Sequence, residues 1–481
     1  MSVDTGGSHD SDTVQDPQQE ARRRKSVAWI VGIATLGLIF DGYDLVVYGT
    51  VVPLFLADPS QIGPVTPAVA GALGSYALIG VLVGALLAGS VGDIIGRRKI
   101  MLTAYAWFSI AMGVTALTTS TTTFGLMRFV TGLGVGALVA TTGALVAEFA
   151  PKGKKNLANA ISYSGVPIGS LLAALLAIVF LDKIGWRGMF WIGALPMVTL
   201  LPLAIFKMPE SPSWLASRGR IEEANRISQR TGVPIAVGPG LARDTTPAPE
   251  RRERAGFAGL FGREYWFPTI VLGFMSATGL ILVYVLNTWL PELMGRAGYS
   301  TNGSLSFLVV LNGGAVVSAL LASRMADRFG PKPVVIASFL LGAVGLALVT
   351  IDAPLALLLA FIALVGAGTS GTQILIFGFV ANYYRTNVRS AGVSWCAGFG
   401  RLGGVAGPLV GGVLVAAGLA LESIFYVLVG LGIFGALLTL CVPVARHAFD
   451  AKTERVEPQV AVQPKPVEKD VAAQSTTGSR H

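Results

Sequence analysis

The chain has 481 residues, of which 53% are hydrophobic and only 13% charged, and its mean hydropathy is +0.65. Soluble domains average about 25% charged residues, so this composition excludes a soluble protein and predicts an all-α protein embedded in a lipid bilayer. The net charge of +9 would suit a nucleic-acid partner, but the distribution of the basic residues indicates membrane topology instead.

The polar segment 1–26 begins the chain and ends in the basic run RRRK at residues 22–25. It is not a signal peptide, because the apolar run that follows is about 25 residues long and no small-residue cleavage site closes it. Twelve apolar segments are long enough to cross the hydrocarbon core, and they comprise residues 27–51, 67–91, 100–118, 121–148, 156–181, 188–206, 266–290, 302–326, 333–350, 354–381, 390–418 and 422–444.

A long polar loop separates the first six segments from the last six. The predicted divisions are a disordered cytoplasmic tail (1–26), a six-helix half (27–206), a cytoplasmic central loop (207–265), a second six-helix half (266–444) and a disordered cytoplasmic tail (445–481). Within the loop, residues 212–230 predict one helix on the membrane surface, and the Pro-, Arg- and Asp-rich residues 232–253 predict disorder.

Basic residues are distributed unevenly between the two sides. The loops that would face outward carry only Lys183, Arg187 and Arg296, whereas the tails, the central loop and the inward loops carry nearly all the others. The positive-inside rule then predicts a multi-pass protein of a bacterial-type cell membrane with both termini in the cytoplasm. Two arginines, Arg128 and Arg401, remain inside predicted spans.

A short repeat relates the two halves. The sequence GDIIGRRK (92–99) follows the second span, and ADRFGPK (326–332) follows the eighth, with the Asp, Gly and basic positions aligned. Parallel halves related by an axis along the membrane normal are one known plan for a transporter. The repeat therefore predicts two pseudo-symmetric six-helix halves.

Two carboxylates lie in the first span, within the sequence DGYD at residues 41–44. Positions i and i+3 share a helix face, so Asp41 and Asp44 point the same way. Placing each charged aspartate in a membrane helix costs about 2.5–3.5 kcal/mol. They lie about 21–26 Å from the inner end of their helix, and Arg128 lies roughly 10 Å from the outer end of the fourth span. We expect Arg128 to face both aspartates. These three side chains would either couple transport to protons, with one acid free to bind and release a proton, or form a structural ion pair.

Arg401 lies near the middle of the eleventh span, with no acidic residue near it in the spans of its own half. Such an arginine suits a carboxylate ligand, which a guanidinium binds through two hydrogen bonds, although a backbone-carbonyl partner is the alternative. Further side chains that could line a substrate cavity, or serve helix packing alone, are Tyr43, Asn287, Gln373 and Trp395.

Other kinds of chemistry lack the necessary residues. His9, His447 and His481 lie outside the hydrophobic runs, so the sequence predicts no metal site, no cofactor and no enzymatic activity. The cysteines, Cys396 and Cys441, lie inside apolar runs and indicate no disulfide framework. The sequence contains no P-loop, so we expect a proton gradient to supply the energy, with the proton carried by a carboxylate.

Three motifs together resemble the major facilitator superfamily. They are the loop repeat at 92–99 and 326–332, the sequence RFVTGLGVG at 128–136, and PESPSWL at 209–215. The resemblance covers residues 28–444 and implies the major facilitator fold of twelve helices. It also implies gating of the cytoplasmic side by the loop charges, whereas the alternative is a plain positive-inside loop. The predicted gating residues are Asp93, Arg97, Glu148, Asp327, Arg328 and Arg389. Ile94 departs from the loop pattern, which usually has arginine there.

A second set of motifs resembles the aromatic acid:proton symporter family. It comprises DGYD at 41–44, RSAGVSW at 389–395 continuing to GFGR at 398–401, and NTWLP at 287–291. The resemblance implies a monomeric symporter that imports a small aromatic carboxylate, of the benzoate or hydroxybenzoate class, together with protons. Alternatives are a proton-coupled carrier of another small solute such as a sugar, an exporter, or a receptor for aromatic acids.

Overall fold

A computed structural model describes residues 17–151, 155–235 and 257–443. The predicted disorder at 445–481, most of that at 232–253 and the start of the tail 1–26 lie outside these residues. Every regular element among the described residues is helical. The all-α prediction is confirmed.

Seventeen α-helices form the described structure. The first half contains α1 (Pro17–Ala57), α2 (Pro67–Ile95), α3 (Arg97–Ala116), α4 (Thr121–Phe149), α5 (Lys155–Tyr163), α6 (Gly165–Gly193) and α7 (Leu200–Lys207). The central loop contains α8 (Pro212–Ser217), α9 (Ile221–Thr231) and α10 (Phe257–Leu260). The second half contains α11 (Trp266–Arg296), α12 (Thr301–Phe329), α13 (Pro331–Val349), α14 (Leu355–Gly368), α15 (Ser370–Tyr383), α16 (Thr386–Ala416) and α17 (Leu421–Cys441).

Eleven helical segments of the described chain are long and apolar enough to cross a membrane, and Leu195–Lys207 is a shorter apolar helix. The twelfth crossing arises at Gly185, which breaks the helical geometry inside α6 with φ +65° and ψ 178°. Before this break, Ser170 donates a hydrogen bond to the middle of α1. After it, Trp186 donates to Gln61 in the α1–α2 loop at the far side of the bundle. The chain then runs back across the bundle to Met208, whose carbonyl accepts from Arg98. Predicted spans five and six are therefore the two arms of one kinked unit.

Two predicted boundaries differ from the structure. α1 begins at Pro17, upstream of the predicted start at Val27, so this part of the predicted tail is helical. The predicted surface helix at 212–230 is instead two helices, α8 and α9, separated by Gly219 at φ +76°. Leu215 and Ala224 are buried on the predicted apolar face, whereas Ile221 is 51% exposed.

The sequence repeat is reproduced in three dimensions at one end of the bundle. Gly96 and Gly330 join α2 to α3 and α12 to α13 with matching geometries (φ +105°, ψ 146° and φ +86°, ψ 154°). Two residues later, Arg98 donates to the Ile205 and Met208 carbonyls at the end of α7, at 2.8 and 2.6 Å. Its counterpart Lys332 donates to the Leu440 and Val442 carbonyls at the end of α17, at 3.1 and 2.6 Å. Each basic residue therefore caps the last helix of its own half.

We call the end of the bundle around Arg97, Lys332 and Arg389 the basic end, and the end around Gln61, Thr118 and Trp186 the far end. Close backbone contacts between the halves lie toward the far end. An added Cβ on Gly49 of α1 would overlap the Asn287 carbonyl of α11. Ser75 of α2 donates to the Val405 carbonyl of α16 at 2.7 Å.

Candidate functional site

The DGYD sequence lies at a close crossing of α1 and α6. Gly42 permits the approach, because a Cβ there would overlap the Val166 carbonyl oxygen. Ser170 donates to the Gly42 carbonyl at 3.2 Å across the same crossing. The packing fixes the helix rotation that carries Asp41 and Asp44 on one face.

Asp44 and Arg128 form an ion pair in the interior of the first half. Asp44 is 5% exposed and Arg128 is 2% exposed. The guanidinium carbon also lies 5.3 Å from the centre of the Tyr48 ring and 6.0 Å from that of Phe190, within range of cation–π attraction. A pair held on several sides at this depth is an anchor between α1 and α4, since removing either charge would leave the other without compensation.

An aromatic cluster separates this ion pair from the far end. Phe124 packs edge-on against Phe55, Trp186 and Phe190, with ring centres 5.2, 5.8 and 5.6 Å away. Trp186 donates from Nε1 to Gln61 Oε1 at 2.9 Å, and Gln61 donates to Asp58 at 2.6 Å. Hydrogen bonds from Gln61 and then Ser60 hold the pKa of Asp58 below its usual value. These aromatic side chains thus close the far end of the first half, on that side of the ion pair.

Asp41 has a different environment from Asp44. The positive charge that acts on it belongs to Arg401, and the negative charge belongs to Asp44. Arg401 lies at the middle of α16, about 22 Å from either end of that helix. Both side chains are partly exposed, and in the part of the chain that the structure describes neither takes part in a hydrogen bond or an ion pair. The prediction that Arg128 faces both aspartates is supported for Asp44, whereas the cation that acts on Asp41 is Arg401 of the second half.

Two tyrosines complete the surroundings of Asp41 and Arg401. Tyr163, at the end of α5, is 39% exposed, donates to the Val139 carbonyl at 3.0 Å and interacts electrostatically with both charges. Tyr284 of α11 interacts with the same two groups. Sequence reasoning missed Tyr163 as a site residue. The sequence GVP at 165–167, which begins two residues after it, was the available signal.

The predicted cavity-lining residues bond mainly within the helix bundle. Tyr43 is 3% exposed and donates to the Met189 carbonyl at 2.7 Å. Asn287 donates to the Val283 carbonyl and accepts from Asn312 at 3.0 Å. Trp395 donates to the Thr269 carbonyl at 2.9 Å and stacks on Phe399. Each of these three side chains thus has a hydrogen bond that joins one helix of the bundle to another.

Gln373 differs from those three because half of its amide is unused. It is 8% exposed and donates from Nε2 to Ser276 Oγ at 3.2 Å. Its Oε1 is buried without a hydrogen-bond partner among the described residues. The atom lies against Gly279 of α11, in the interior of the second half.

The predicted gating residues lie at the basic end, and their contacts differ. Arg97 and Glu148 form an ion pair between α3 and α4. Arg389 donates to the Tyr384 carbonyl at 3.4 Å, and Asp327 and Arg328 are exposed. Asp93 lies in α2, and its side chain is outside the described part of the structure.

Glu210 is a basic-end residue that sequence reasoning missed. Its carboxylate accepts from the Arg98 amide at 3.0 Å and so satisfies a free N–H at the start of α3. Through this bond the PESPSWL segment is attached to the loop repeat. The acidic residue within that segment was the signal in the sequence.

Among residues 17–151, 155–235 and 257–443, no group of His, Cys, Asp and Glu side chains could hold a metal ion. The charged groups at mid-depth are instead arranged on two six-helix halves that face each other. This fold and these charges define a membrane transport protein.

The family is shown by sequence comparison. A model described as "Sugar (and other) transporter" matches residues 30–445, and the chain belongs to that family. The benzoate transport protein of Acinetobacter baylyi is 34% identical over 391 residues, covering 80% of this chain and 83% of that protein. The gentisate transporter of Corynebacterium glutamicum is 33% identical over 426 residues, covering 88% of each chain.

A solved structure shows the same fold. The crystal structure of a D-xylose-proton symporter is 20% identical, with a TM-score of 0.69, covering 87% of this chain and 98% of that one. At this identity the likeness establishes the major facilitator fold, with its two pseudo-symmetric halves.

Proposed function

We propose that the protein imports a small aromatic carboxylate, of the benzoate or hydroxybenzoate class, together with protons. The observation that carries the proposal is Arg401, a partly exposed arginine at the middle of α16 that no described residue binds in an ion pair. An arginine in this position would bind a carboxylate through two charge-assisted hydrogen bonds. The names of relatives at 33–34% identity, which are transporters of benzoate and gentisate, support the same substrate class.

The tyrosines beside Arg401 suit the ring of such a substrate. Tyr163 and Tyr284 present aromatic surface near the guanidinium, and aromatic pairs gain about 0.5–1.5 kcal/mol beyond the burial of their area. The Tyr163 hydroxyl already donates to Val139, which leaves its oxygen able to accept a hydrogen bond. A hydroxyl group on the ring is a suitable donor.

The basic end is the cytoplasmic end in this proposal, with both termini in the cytoplasm of a bacterial-type cell membrane. Support comes from the excess of Lys and Arg in the loops and tails on that side. The halves make their close backbone contacts toward the far end, so this conformation would present the site to the cytoplasm. The Arg97–Glu148 pair and the Glu210 cap would then act on the cytoplasmic gate as the halves rock in alternating access.

The proton gradient is the energy source in this proposal, and the protein acts as a monomer. One co-transported proton contributes about 1.4 kcal/mol for each unit of pH difference. In this proposal one of the mid-depth carboxylates, Asp41 or Asp44, carries the proton, and Arg128 is the ion-pair partner of Asp44.

Uptake by the purified protein in proteoliposomes tests this function. With an acidic exterior we expect accumulation of labelled benzoate and gentisate, but not of xylose or benzylamine. Arg401→Lys should reduce the apparent benzoate affinity at least tenfold, because lysine cannot form the two parallel hydrogen bonds. Arg263→Lys, a change at an exposed residue, is the matched control. Uptake of xylose without benzoate would refute the substrate class, and unchanged affinity in Arg401→Lys would remove Arg401 from the site.

A further inference from the structure

The charges at mid-depth balance. In the described spans, away from both ends of the bundle, the charged side chains are Asp41, Asp44, Arg128 and Arg401. Two are negative and two positive, so the empty site is neutral when all four are ionised. Tyrosines nearby are neutral at neutral pH and do not change this balance.

A bound carboxylate would break this neutrality. It brings one negative charge into a region where an uncompensated charge is strongly unfavourable. One proton restores the sum to zero, whereas two would leave an excess positive charge. The charge inventory therefore favours one proton for each substrate carboxylate.

Asp44 is poorly placed to receive that proton. It is 5% exposed and ion-paired with Arg128, whose guanidinium also lies within cation–π range of the Tyr48 and Phe190 rings. Protonation of Asp44 would leave Arg128 buried with a single uncompensated charge. The aromatic cluster also closes the path to Asp44 from the far end.

Asp41 is well placed to receive it. Its side chain is partly exposed, and the cation that acts on it is Arg401, the same group the substrate carboxylate would occupy. The other charged and titratable groups that interact with it are Asp44 on α1, Tyr163 on α5 and Tyr284 on α11. A substrate that engages Arg401 thus removes the stabilisation of ionised Asp41 and favours its protonation.

We propose that transport is electroneutral, with one proton carried on Asp41 for each carboxylate bound at Arg401, while the Asp44–Arg128 pair stays ionised. The proposal rests on the proposed function. Arg401 is shared: it balances Asp41 when the site is empty and the substrate when the site is loaded. Because the coupling is reciprocal, protonation of Asp41 must also strengthen substrate binding.

Binding of benzoate to the purified protein, measured by calorimetry between about pH 6 and pH 9, tests the assignment, since benzoate is ionised throughout. In the unmodified protein the affinity should fall up to tenfold per pH unit once Asp41 loses its proton. Asp41→Asn should bind with a pH-independent affinity and more tightly than the unmodified protein at pH 9. Asp352→Asn, in an exposed loop, is the matched control and should keep the pH dependence.

The variant at Asp44 distinguishes the two carboxylates. The double variant Asp44→Asn/Arg128→Gln keeps the site neutral and should retain the pH dependence of the unmodified protein. The double variant replaces the single variant Asp44→Asn if that single variant does not fold. A pH-dependent affinity in Asp41→Asn together with a pH-independent one in the double variant would overturn the assignment to Asp41.

Voltage tests the stoichiometry. Proteoliposomes with equal pH on both sides and a potassium diffusion potential, imposed with valinomycin, should not accumulate benzoate, whereas a pH gradient alone should drive accumulation. Accumulation driven by an inside-negative voltage would require more than one proton and would overturn electroneutrality. An unmodified protein that neither binds nor transports any aromatic carboxylate would refute the proposed function instead.

Discussion

Replacing Arg128 with glutamine isolates what the buried ion pair contributes to stability. The change leaves Asp44, which is 5% exposed, without its cation while keeping a polar side chain of similar length. Loss of one partner of a buried pair costs about 3–5 kcal/mol. The carboxylate can also escape by binding a proton, and protonating an ordinary aspartate at pH 7 costs about 4 kcal/mol, so the two figures agree.

The rings of Tyr48 and Phe190 add to this cost. Each gives up a cation–π contact with the guanidinium, at 5.3 and 6.0 Å, and at distances this close to the limit of the interaction each contact is worth about 0.5–1 kcal/mol. The expected loss of unfolding free energy in Arg128→Gln is therefore about 5 kcal/mol at pH 7. It should shrink by up to about 1.4 kcal/mol for each unit that the pH is lowered, because the proton then costs less.

Unfolding by SDS titration at pH 7 and pH 5, followed by circular dichroism, measures both effects. Arg263→Gln, at an exposed position, is the control and should change stability by less than about 0.5 kcal/mol. The double variant Asp44→Asn/Arg128→Gln should recover most of the loss, leaving the ring-contact contribution of about 1–2 kcal/mol. A double variant as unstable as Arg128→Gln, with no effect of pH on either, would refute an ionic anchor.

Two further substitutions test packing features of the same region. Gly42→Ala should destabilise the protein by about 1–3 kcal/mol in the same titration, because its Cβ would overlap the Val166 carbonyl; Gly32→Ala on the same helix has free space and should be neutral, and equal losses would disprove the close crossing. Glu210→Ala should cost about 1 kcal/mol by leaving the Arg98 amide at the start of α3 unsatisfied, compared with exposed Glu222→Ala as control. No difference between these two glutamate variants would show that the cap contributes nothing.

The architecture was predictable because the bilayer imposes simple rules. Hydrophobic length gave the spans, and it does not depend on how helices pack. Around Gly185 the chain turns in so few residues that spans five and six, which were predicted as separate segments, share the long helix α6. The prediction of one surface helix at 212–230 was wrong because it did not account for Gly219, whose positive φ separates α8 from α9.

The site was predicted less completely, for a different physical reason. Depth along a helix follows from residue counting, which placed Asp44 and Arg128 at the same level. The rotation of each helix does not, because it depends on close packing such as that of Gly42 against α6. Rotation is what turns Tyr43 toward Met189 and Asn287 toward Asn312. A search for partners within one half also could not find the interaction of Arg401 with Asp41, which joins helices of different halves.

The two charge pairs would behave differently during transport, because one lies within a half and the other joins the two halves. Asp44 and Arg128 both belong to the first half, so a rocking motion of one half against the other leaves their separation unchanged. Asp41 belongs to the first half and Arg401 to the second, so the same motion alters their interaction directly. An ion pair that never changes can stabilise the fold but cannot sense the conformation. The proton-carrying group should therefore be the one whose cation lies across the interface between the halves, and that group is Asp41.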